Sequence, residues 1–253
     1  MQVVKFISHW QSIQPQLNTG KCIGFVPTMG NLHDGHSQLI KQSIQENDIT
    51  VVSIFVNDKQ FNDRNDFANY PRTIEEDLSR LQQLGVDFCL LPSTEDIYAD
   101  GYLFQVNSTA EQNRCEDRFR PGHFTGVLTV VMKLLQLVRP DRAYFGEKDY
   151  QQLQLIKGMV NAFFMPVDVI GVPTYREADG LPFSSRNTRL SVQGREKASQ
   201  FAKIFAMEVA IDVHRQRFLD AGFEVEYLEE LGDRRLVAVN IDGVRLIDNR
   251  PNN

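Results

Sequence analysis

Residues 49–56, with the sequence ITVVSIFV, constrain the fold of this chain more than any other segment. The run is almost entirely apolar and rich in β-branched residues, which is typical of a central parallel strand covered on both faces. A shorter apolar run at residues 22–26 precedes it, and residues with helical spacing lie between the two. This order predicts a right-handed βαβ unit, in which ligands bind at the carboxyl ends of the strands.

Helical and strand-like segments alternate along the next part of the chain. Apolar spacing predicts helices at residues 3–17, 37–47, 73–84 and 123–138. Short buried-strand patterns occur at residues 86–91, 143–145 and 167–172. Residues 92–121 lack such a pattern and carry mixed charges, so they predict a solvated loop, with a functional flap as the alternative.

The composition changes after Pro173. A polar segment leads into a long helical stretch, residues 192–219, and three strand-like runs follow at residues 224–228, 234–240 and 244–247. These runs predict a small antiparallel sheet. The predicted fold class is therefore α/β: a Rossmann-like, doubly wound parallel sheet in residues 1–173 and a smaller α+β domain in residues 174–253.

Charge and composition restrict the class of partner. The formal net charge of −6 argues against nucleic acid, which normally requires a basic face. Residues 126–138, the most apolar long segment, are too few to span a bilayer and include Lys133. The three cysteines, Cys22, Cys89 and Cys115, are odd in number and widely spaced, which favours reduced thiols and a cytoplasmic location.

The segment VPTMGNLHDGH, residues 26–36, is predicted to join the first strand to a helix. Pro27 should end the strand, and Gly30 permits a tight turn. His33 and His36 then lie at a helix N-terminus, where unpaired N–H groups and the helix dipole favour anions, so the segment predicts a phosphate site. Half of a zinc site, which would need a third ligand, and two surface histidines are the alternatives.

Polar side chains also follow two other predicted strands. Asn57 and Gln60 come after residues 49–56, and their neutral amides suit a hydroxyl or carboxylate of a small substrate. Lys148 follows residues 143–145 and is a candidate cation for phosphate. Taken alone, the amides would indicate a polar loop, and a surface lysine is the commoner interpretation of Lys148.

Two further segments carry charge or hydroxyl groups. The tripeptide Ser-Ser-Arg at residues 184–186 offers donors that suit the oxygens of a triphosphate, although in isolation it indicates only a turn. Thr73 and Glu76 have the spacing of a capping box. The acidic trio Glu75, Glu76 and Asp77 favours a helix N-terminus, and a magnesium site at Asp77 is the alternative.

Seven motifs occur in a fixed order: PTMGNLHDGH, VSIFVNDKQF, YPRT, RPGHFTGVLTVVMKLLQLVRPD, FGEKDYQQL, VPTYREADGL and SSRN. In this order and spacing the chain resembles the pantothenate synthetase family, the pantoate–β-alanine ligases. The resemblance covers residues 21–191 and recurs at RLIDN, residues 245–249. The His-x-Gly-His element is shared with the wider nucleotidylyl transferase group.

The resemblance implies an ATP-dependent ligation in vitamin B5 and coenzyme A biosynthesis. Pantoate would attack the α-phosphorus of ATP and release diphosphate, and the amine of β-alanine would then attack the pantoyl adenylate, giving pantothenate and AMP. A cytoplasmic homodimer that uses ATP and magnesium, with no nucleic-acid or membrane partner, is the implied setting.

The resemblance also implies roles for particular residues. His33, His36 and Lys148 would be catalytic, and Asp77 would lie near magnesium. The implied pantoate-binding residues are Pro27, Met29, Asn57, Gln60 and Gln152. The implied ATP-binding residues are Pro27, Thr28, Met29, Gly30, His33, His36, Gly146, Lys148, Asp149, Tyr175, Phe183, Ser184, Ser185 and Arg186.

The chain departs from the family pattern at three places. Asp58 replaces the usual proline after Asn57 and adds a negative charge near a site for anions. Phe183 replaces the usual methionine before SSRN. We also expect the C-terminal region to be shorter than in typical members.

Two other functions fit the same motifs. An adenylyl transferase of the same superfold would act on a phosphorylated acceptor, which would favour more arginine in the acceptor pocket than the amides found here. A non-catalytic nucleotide-binding homologue would bind ATP without forming an adenylate.

Overall fold

The computed structural model describes residues 1–17, 19–110 and 112–252. Within them, six strands form one sheet in which every neighbouring pair is parallel. These strands are β1 (Gln2–Val4), β2 (Ile23–Thr28), β3 (Ile49–Ile54), β4 (Phe88–Leu90), β5 (Arg142–Gly146) and β6 (Asp168–Val172). Their spatial order is β1-β4-β3-β2-β5-β6, which confirms the doubly wound prediction and places the topological switch point between β2 and β5.

Helices cover both faces of this sheet. The helices of the first domain are α1 (Ile7–Leu17), α2 (Asp34–Glu46), α3 (Arg64–Ala68), α4 (Ile74–Leu84), α5 (Thr94–Ile97), α6 (Cys115–Phe119), α7 (His123–Val138) and α8 (Tyr150–Ala162). Val51 packs into one hydrophobic core with residues of α1, α7 and α8, whereas the next residue, Val52, packs into a second core with residues of α2 and α4. This alternation explains why β3 carries apolar residues on both of its faces.

The C-terminal part has its own hydrophobic core. Strands β7 (Glu224–Leu231), β8 (Arg234–Ile241) and β9 (Val244–Pro251) form an antiparallel sheet, and α9 (Val192–Phe205) and α10 (Ile211–Asp220) pack on it. Phe201, Phe205 and Phe218 are fully buried between them. The predicted α+β character is confirmed.

Three element predictions are wrong. The predicted helix at residues 3–17 begins with a strand, because buried Val4 pairs with β4. Pro27 does not end β2. β5 pairs only with Gly24 and Phe25, so the missing N–H of Pro27 breaks no bond to that strand. The long helix at residues 192–219 is two helices, α9 and α10, that fold back so that their phenylalanines meet.

The segment at residues 92–121 is more ordered than a solvated loop. It contains α5 and α6, and Glu116 of α6 is buried. Among the residues described, no helix is both long and apolar enough to cross a membrane.

Candidate active site

A cavity of about 240 Å³ lies at the carboxyl edge of the large sheet, at the switch point between β2 and β5. Both domains line it, because the segment from Tyr175 to Arg186 returns over the strand ends. This is the position at which doubly wound folds bind ligands. The predicted site residues that line it are Pro27, Thr28, Met29, His33, His36, Asn57, Gln60, Gly146, Lys148, Asp149, Gln152, Tyr175, Phe183, Ser184, Ser185 and Arg186.

Gly30 and Asp77 lie behind the cavity wall. The carboxylate of Asp77 accepts backbone N–H bonds from Asn31 (2.9 Å) and Leu32 (2.7 Å), and the Thr73 hydroxyl lies 3.3 Å from it. Gly30 has φ +77°, and a Cβ there would lie 3.0 Å from the Asp77 carboxylate. One expectation is corrected, because Thr73 forms no side-chain cap and so no capping box. The oxygens of Asp77 hold the turn before α2, and its magnesium role stays a prediction.

Asp77→Asn tests whether Asp77 serves the turn before α2 or a magnesium ion. Its amide would place a donor against the N–H groups of Asn31 and Leu32, so we expect a loss of about 1–3 kcal/mol in the free energy of unfolding. The magnesium concentration that gives half-maximal activity should not change. Urea unfolding and a magnesium titration measure the two effects, with exposed Glu75→Gln as the control. An increased magnesium requirement with unchanged stability would restore the metal role.

The two histidines stack on each other at the first turn of α2. Their ring centroids are 4.0 Å apart, and the backbone N–H of His33 donates to Nδ1 of His36 (3.3 Å). A neutral imidazole that accepts at Nδ1 carries its proton on Nε2, so His36 is left with an N–H donor. Nδ1 of His33 is buried with no partner among the described residues, which marks a polar atom that a ligand can satisfy.

Both histidines are neutral near pH 7. Burial lowers the pKa of His33 to about 4, and the nearby charge of Lys148 adds to this effect. Burial also holds the pKa of His36 well below its usual value, with His33 and Lys148 contributing. The pair therefore presents hydrogen-bond donors without placing two further positive charges beside Lys148.

ATP binding should be accompanied by proton uptake below about pH 6.5. Phosphate charge beside His33 raises its pKa, so the complex binds more protons than the free protein, and affinity rises as pH falls towards 4. Calorimetry in two buffers of different ionisation enthalpy measures the uptake. His33→Gln should reduce it and exposed His9→Gln should not, whereas equal uptake by both variants would contradict the assignment.

Aromatic rings continue from the histidines onto the C-terminal side. Phe183 stacks on Tyr175, with centroids 5.3 Å apart, and lies 5.9 Å from His33. A Cβ on Gly35 would come within 3.0 Å of the His33 ring, which explains the glycine. Phe183, which stands where the family usually has methionine, therefore extends the aromatic stack that packs against His33.

The opposite end of the cavity contains neutral amides. The side chain of Asn57 donates to Gln60 (3.0 Å) and to the carbonyl oxygen of Gly126 (3.2 Å), and it accepts from the Tyr98 hydroxyl (2.7 Å). Residue 126 has to be glycine, because a Cβ there would lie 2.3 Å from the Lys59 carbonyl oxygen. The amides are thus fixed by direct packing of α7 against the 3₁₀ turn Asp58–Gln60.

The wall beside these amides is apolar, and Asp58 does not contribute to it. This wall is formed by Phe55, which directly follows β3, and by four residues of α7: Val127, Val130, Val131 and Leu134. Asp58 pairs with Lys59 (2.9 Å) and is outside the set of described lining residues. Its charge is therefore neutralised locally.

Lys148 is positioned by the last strand. The side chain of Asn249 donates to the carbonyl oxygens of Glu147 (2.8 Å) and Lys148 (2.9 Å), which fixes the turn after β5. The Lys148 ammonium lies 3.8 Å from Asp149. The RLIDN motif thus contributes to the site by fixing the backbone of the turn that carries Lys148.

The same motif also holds the segment above the cavity. Arg176 makes a bidentate ion pair with Asp248 (2.8 and 2.9 Å) and donates to the Gly180 and Asn249 carbonyl oxygens. The side chain of Asp248 is fully buried, and burial raises its pKa despite this pairing.

Arg186 does not point freely into the cavity. Asp66 of α3 accepts from Arg186 and from Arg189, each at 2.6 Å. Because Asp66 bonds both arginines, it anchors the Ser-Ser-Arg segment across the cavity.

Sequence reasoning missed Arg120 and His123, which line the cavity beside Gln60. Arg120 Nη2 donates to the Gln60 carbonyl oxygen (3.3 Å), and the ring of His123 lies 2.8 Å from the same oxygen. Burial lowers the pKa of His123 to about 3, with Arg120 adding to the effect, so the ring is neutral. The available signal was their position at the start of the apolar helix α7, which His123 begins and Arg120 precedes by three residues.

The residues that line the cavity offer few ligands for a magnesium ion. Asp149 is the one carboxylate among the described residues that line the cavity, and no group of three His, Cys, Asp or Glu side chains suited to a metal occurs in the described ranges. One carboxylate fits magnesium only when phosphate oxygens complete the coordination, which is common for nucleotide sites.

Fold and site together define an α/β protein with a mononucleotide-type site at the switch point of its sheet. A family model described as pantoate-beta-alanine ligase matches residues 2–251. The chain belongs to the pantoate-β-alanine ligase family, which confirms the resemblance drawn from the motifs.

Individual relatives agree with this family. The chain is 50% identical over 249 residues to a pantothenate synthetase of Legionella pneumophila, covering 98% of this chain and 99% of the relative. A pantothenate synthetase of Coxiella burnetii is 48% identical over 250 residues, covering 99% and 96%. The C-terminal region of this chain is therefore of similar extent to that of these relatives.

Solved structures match over the same extent. Pantoate-beta-alanine ligase from Francisella tularensis, solved with beta-gamma ATP and beta-alanine, superposes with a TM-score of 0.95 at 42% identity and covers 100% of this chain and 98% of its own. Pantothenate synthetase from Thermus thermophilus gives a TM-score of 0.91 at 37% identity, covering 99% of both chains.

Proposed function

We propose that this chain joins pantoate to β-alanine with cleavage of ATP to AMP and diphosphate, through a pantoyl adenylate. The observation that carries the proposal is the division of one cavity into two ends. Neutral phosphate donors and Lys148 occupy one end, and amides beside an apolar wall occupy the other. Pantoate has a carboxylate, two hydroxyls and two methyl groups, which match the amides and the wall respectively.

In the first step the pantoate carboxylate forms a bond to the α-phosphorus and the bond to diphosphate breaks. Lys148 would neutralise charge that develops on the α-phosphate, the Nε2–H of His36 would donate to that charge, and His33 would donate from its buried Nδ1 to a phosphate oxygen. Asn57, Gln60 and Gln152 would hold the acid in line for attack.

In the second step the neutral amine of β-alanine attacks the acyl carbon and AMP leaves. The donors that served the first step then stabilise AMP as the leaving group. No covalent bond to the protein is required. Magnesium, which we propose enters with the phosphates of ATP and meets Asp149, would supply further neutralisation of phosphate charge.

Release of AMP by the purified chain tests the proposal. AMP should appear only when ATP, magnesium, pantoate and β-alanine are all present. Exchange of labelled diphosphate into ATP, with pantoate but without β-alanine, should report the first step alone. ATP binding without exchange would indicate the non-catalytic homologue, and exchange that needs a phosphorylated acceptor would indicate the other adenylyl transferase.

The biological setting is part of the same proposal. The family supports a place in pantothenate biosynthesis. Cys22, Cys89 and Cys115 are all free thiols, in keeping with the cytoplasm. We further propose a homodimer, which light scattering of the purified protein would test.

A further inference from the structure

Glu116 lies between the two domains and bonds side chains from both. Arg245 of β9 donates to its two oxygens (2.7 and 2.9 Å), and the Tyr227 hydroxyl of β7 donates at 2.6 Å. From the first domain, Arg120 donates at 3.2 Å. We refer to Glu116, Arg120, Tyr227 and Arg245 as the Glu116 cluster.

The Glu116 cluster is buried and ionised. Glu116 is 6% exposed. Burial by itself would raise its pKa, but Arg245 and Arg120 bring the pKa down to about 2. A buried carboxylate with four donated bonds has a strongly defined position, because the loss of one partner leaves charge uncompensated.

The cluster continues into the acid-binding end of the cavity through Arg120. Its Nη1 also lies 3.0 Å from Nε2 of His123, and its Nη2 donates to the Gln60 carbonyl oxygen. Because His123 is neutral and bonds the same carbonyl through Nδ1–H, its Nε2 accepts from Arg120. The side chain of Gln60 in turn bonds Asn57 (3.0 Å).

We propose that Glu116 is a positioning residue that orients Arg120 and, through it, the Gln60 amide, so that the pantoate end of the cavity is complete only when the C-terminal domain is seated. The inference rests on the proposed function for the identity of the acid. It assigns Glu116 no contact with substrate. It also predicts that the phosphate end, which Glu116 does not touch, is unaffected.

Glu116→Gln keeps the shape of the side chain and removes its charge. Loss of the charged bond to Arg120 should raise the dissociation constant for pantoate about tenfold, while the constant for ATP stays within about twofold. Calorimetric titration of each ligand separates the two. Equal changes for both ligands, or none for pantoate, would overturn the proposal.

Glu229→Gln is the matched control. Glu229 pairs with Arg118, so it joins the same elements, α6 and β7, without reaching Arg120. Its loss should leave pantoate affinity within about twofold, because a partly exposed ion pair that does not reach Arg120 contributes little there. If this control weakens pantoate as much as Glu116→Gln, the effect is a general loosening between the domains and the positioning role is wrong.

A third variant and a ligand-free readout complete the test. Should Glu116→Gln fail to fold, Tyr227→Phe removes one bond to Glu116 and is expected to weaken pantoate binding about twofold to fivefold. An unchanged dissociation constant for pantoate would overturn the proposal.

Nitrogen-15 spectra report the tautomer of His123 without substrate. We expect Nδ1–H in the native chain and a mixture when the cluster is disrupted. An unaltered tautomer in both variants would contradict the inference even if the chain bound no pantoate.

Discussion

Lys148→Met is expected to lower the rate of AMP formation by about 10²- to 10³-fold, the loss typical when one preorganised charge-stabilising donor is removed. The methionine keeps the length and most of the apolar stem, so the turn held by Asn249 should persist. The chemical step should suffer more than binding, because charge on the phosphate groups increases in the transition state.

Single-turnover measurement with saturating ATP and pantoate isolates that step, and the affinity for ATP is measured separately. Exposed Lys157 on α8 gives the matched control, and Lys157→Met should retain the native rate. A Lys148→Met enzyme that kept its single-turnover rate and lost only ATP affinity would show that Lys148 binds the nucleotide without contributing to catalysis.

Arg176→Leu is expected to reduce the free energy of unfolding by about 3–5 kcal/mol, because it leaves the Asp248 carboxylate buried without its bidentate partner. The segment that carries Tyr175 and Phe183 should lose its attachment to β9 at the same time. Urea unfolding followed by circular dichroism measures the loss.

The double variant Arg176→Leu/Asp248→Asn distinguishes the cause. If the cost comes from the stranded charge, the second substitution removes that charge and should recover part of the stability. If the unfolding free energies lost in the two single variants simply add up in the double variant, the two residues act independently.

The fold was predictable where burial fixes the residue type. The run at β3 has to be apolar on both sides because Val51 and Val52 enter different cores, and the spacing of α7 matches its bounds at His123 and Val138. The break between α9 and α10 was not predictable, because both halves keep helical spacing. The contacts of Phe201 and Phe205 with Phe218 require the chain to reverse, and these appear only in the structure.

The site was predictable where chemistry follows a strand end. His33, His36, Asn57 and Lys148 meet because β2, β3 and β5 are parallel and their carboxyl ends share an edge. The turn that Asp77 holds was not predicted, since an acidic residue in the first turn of a helix has the same sequence whether it binds a metal or a backbone turn. Arg120 and Glu116 were missed because their partners, Gln60 and Arg245, lie 60 and 129 residues away.

The separate core of the C-terminal domain has a consequence for exchanging parts between relatives. Phe201, Phe205 and Phe218 belong to a cluster that includes no residue of the large sheet, so this core should move as a unit. Its boundary, however, combines arginines that meet carboxylates, such as Arg186 with Asp66 and Arg234 with Glu147, with an apolar contact of Cys115 against Tyr227 and Leu236. A chimaera of two family members would therefore succeed or fail on whether both parents match these opposite charges and this one apolar contact, rather than on how well their main cores match.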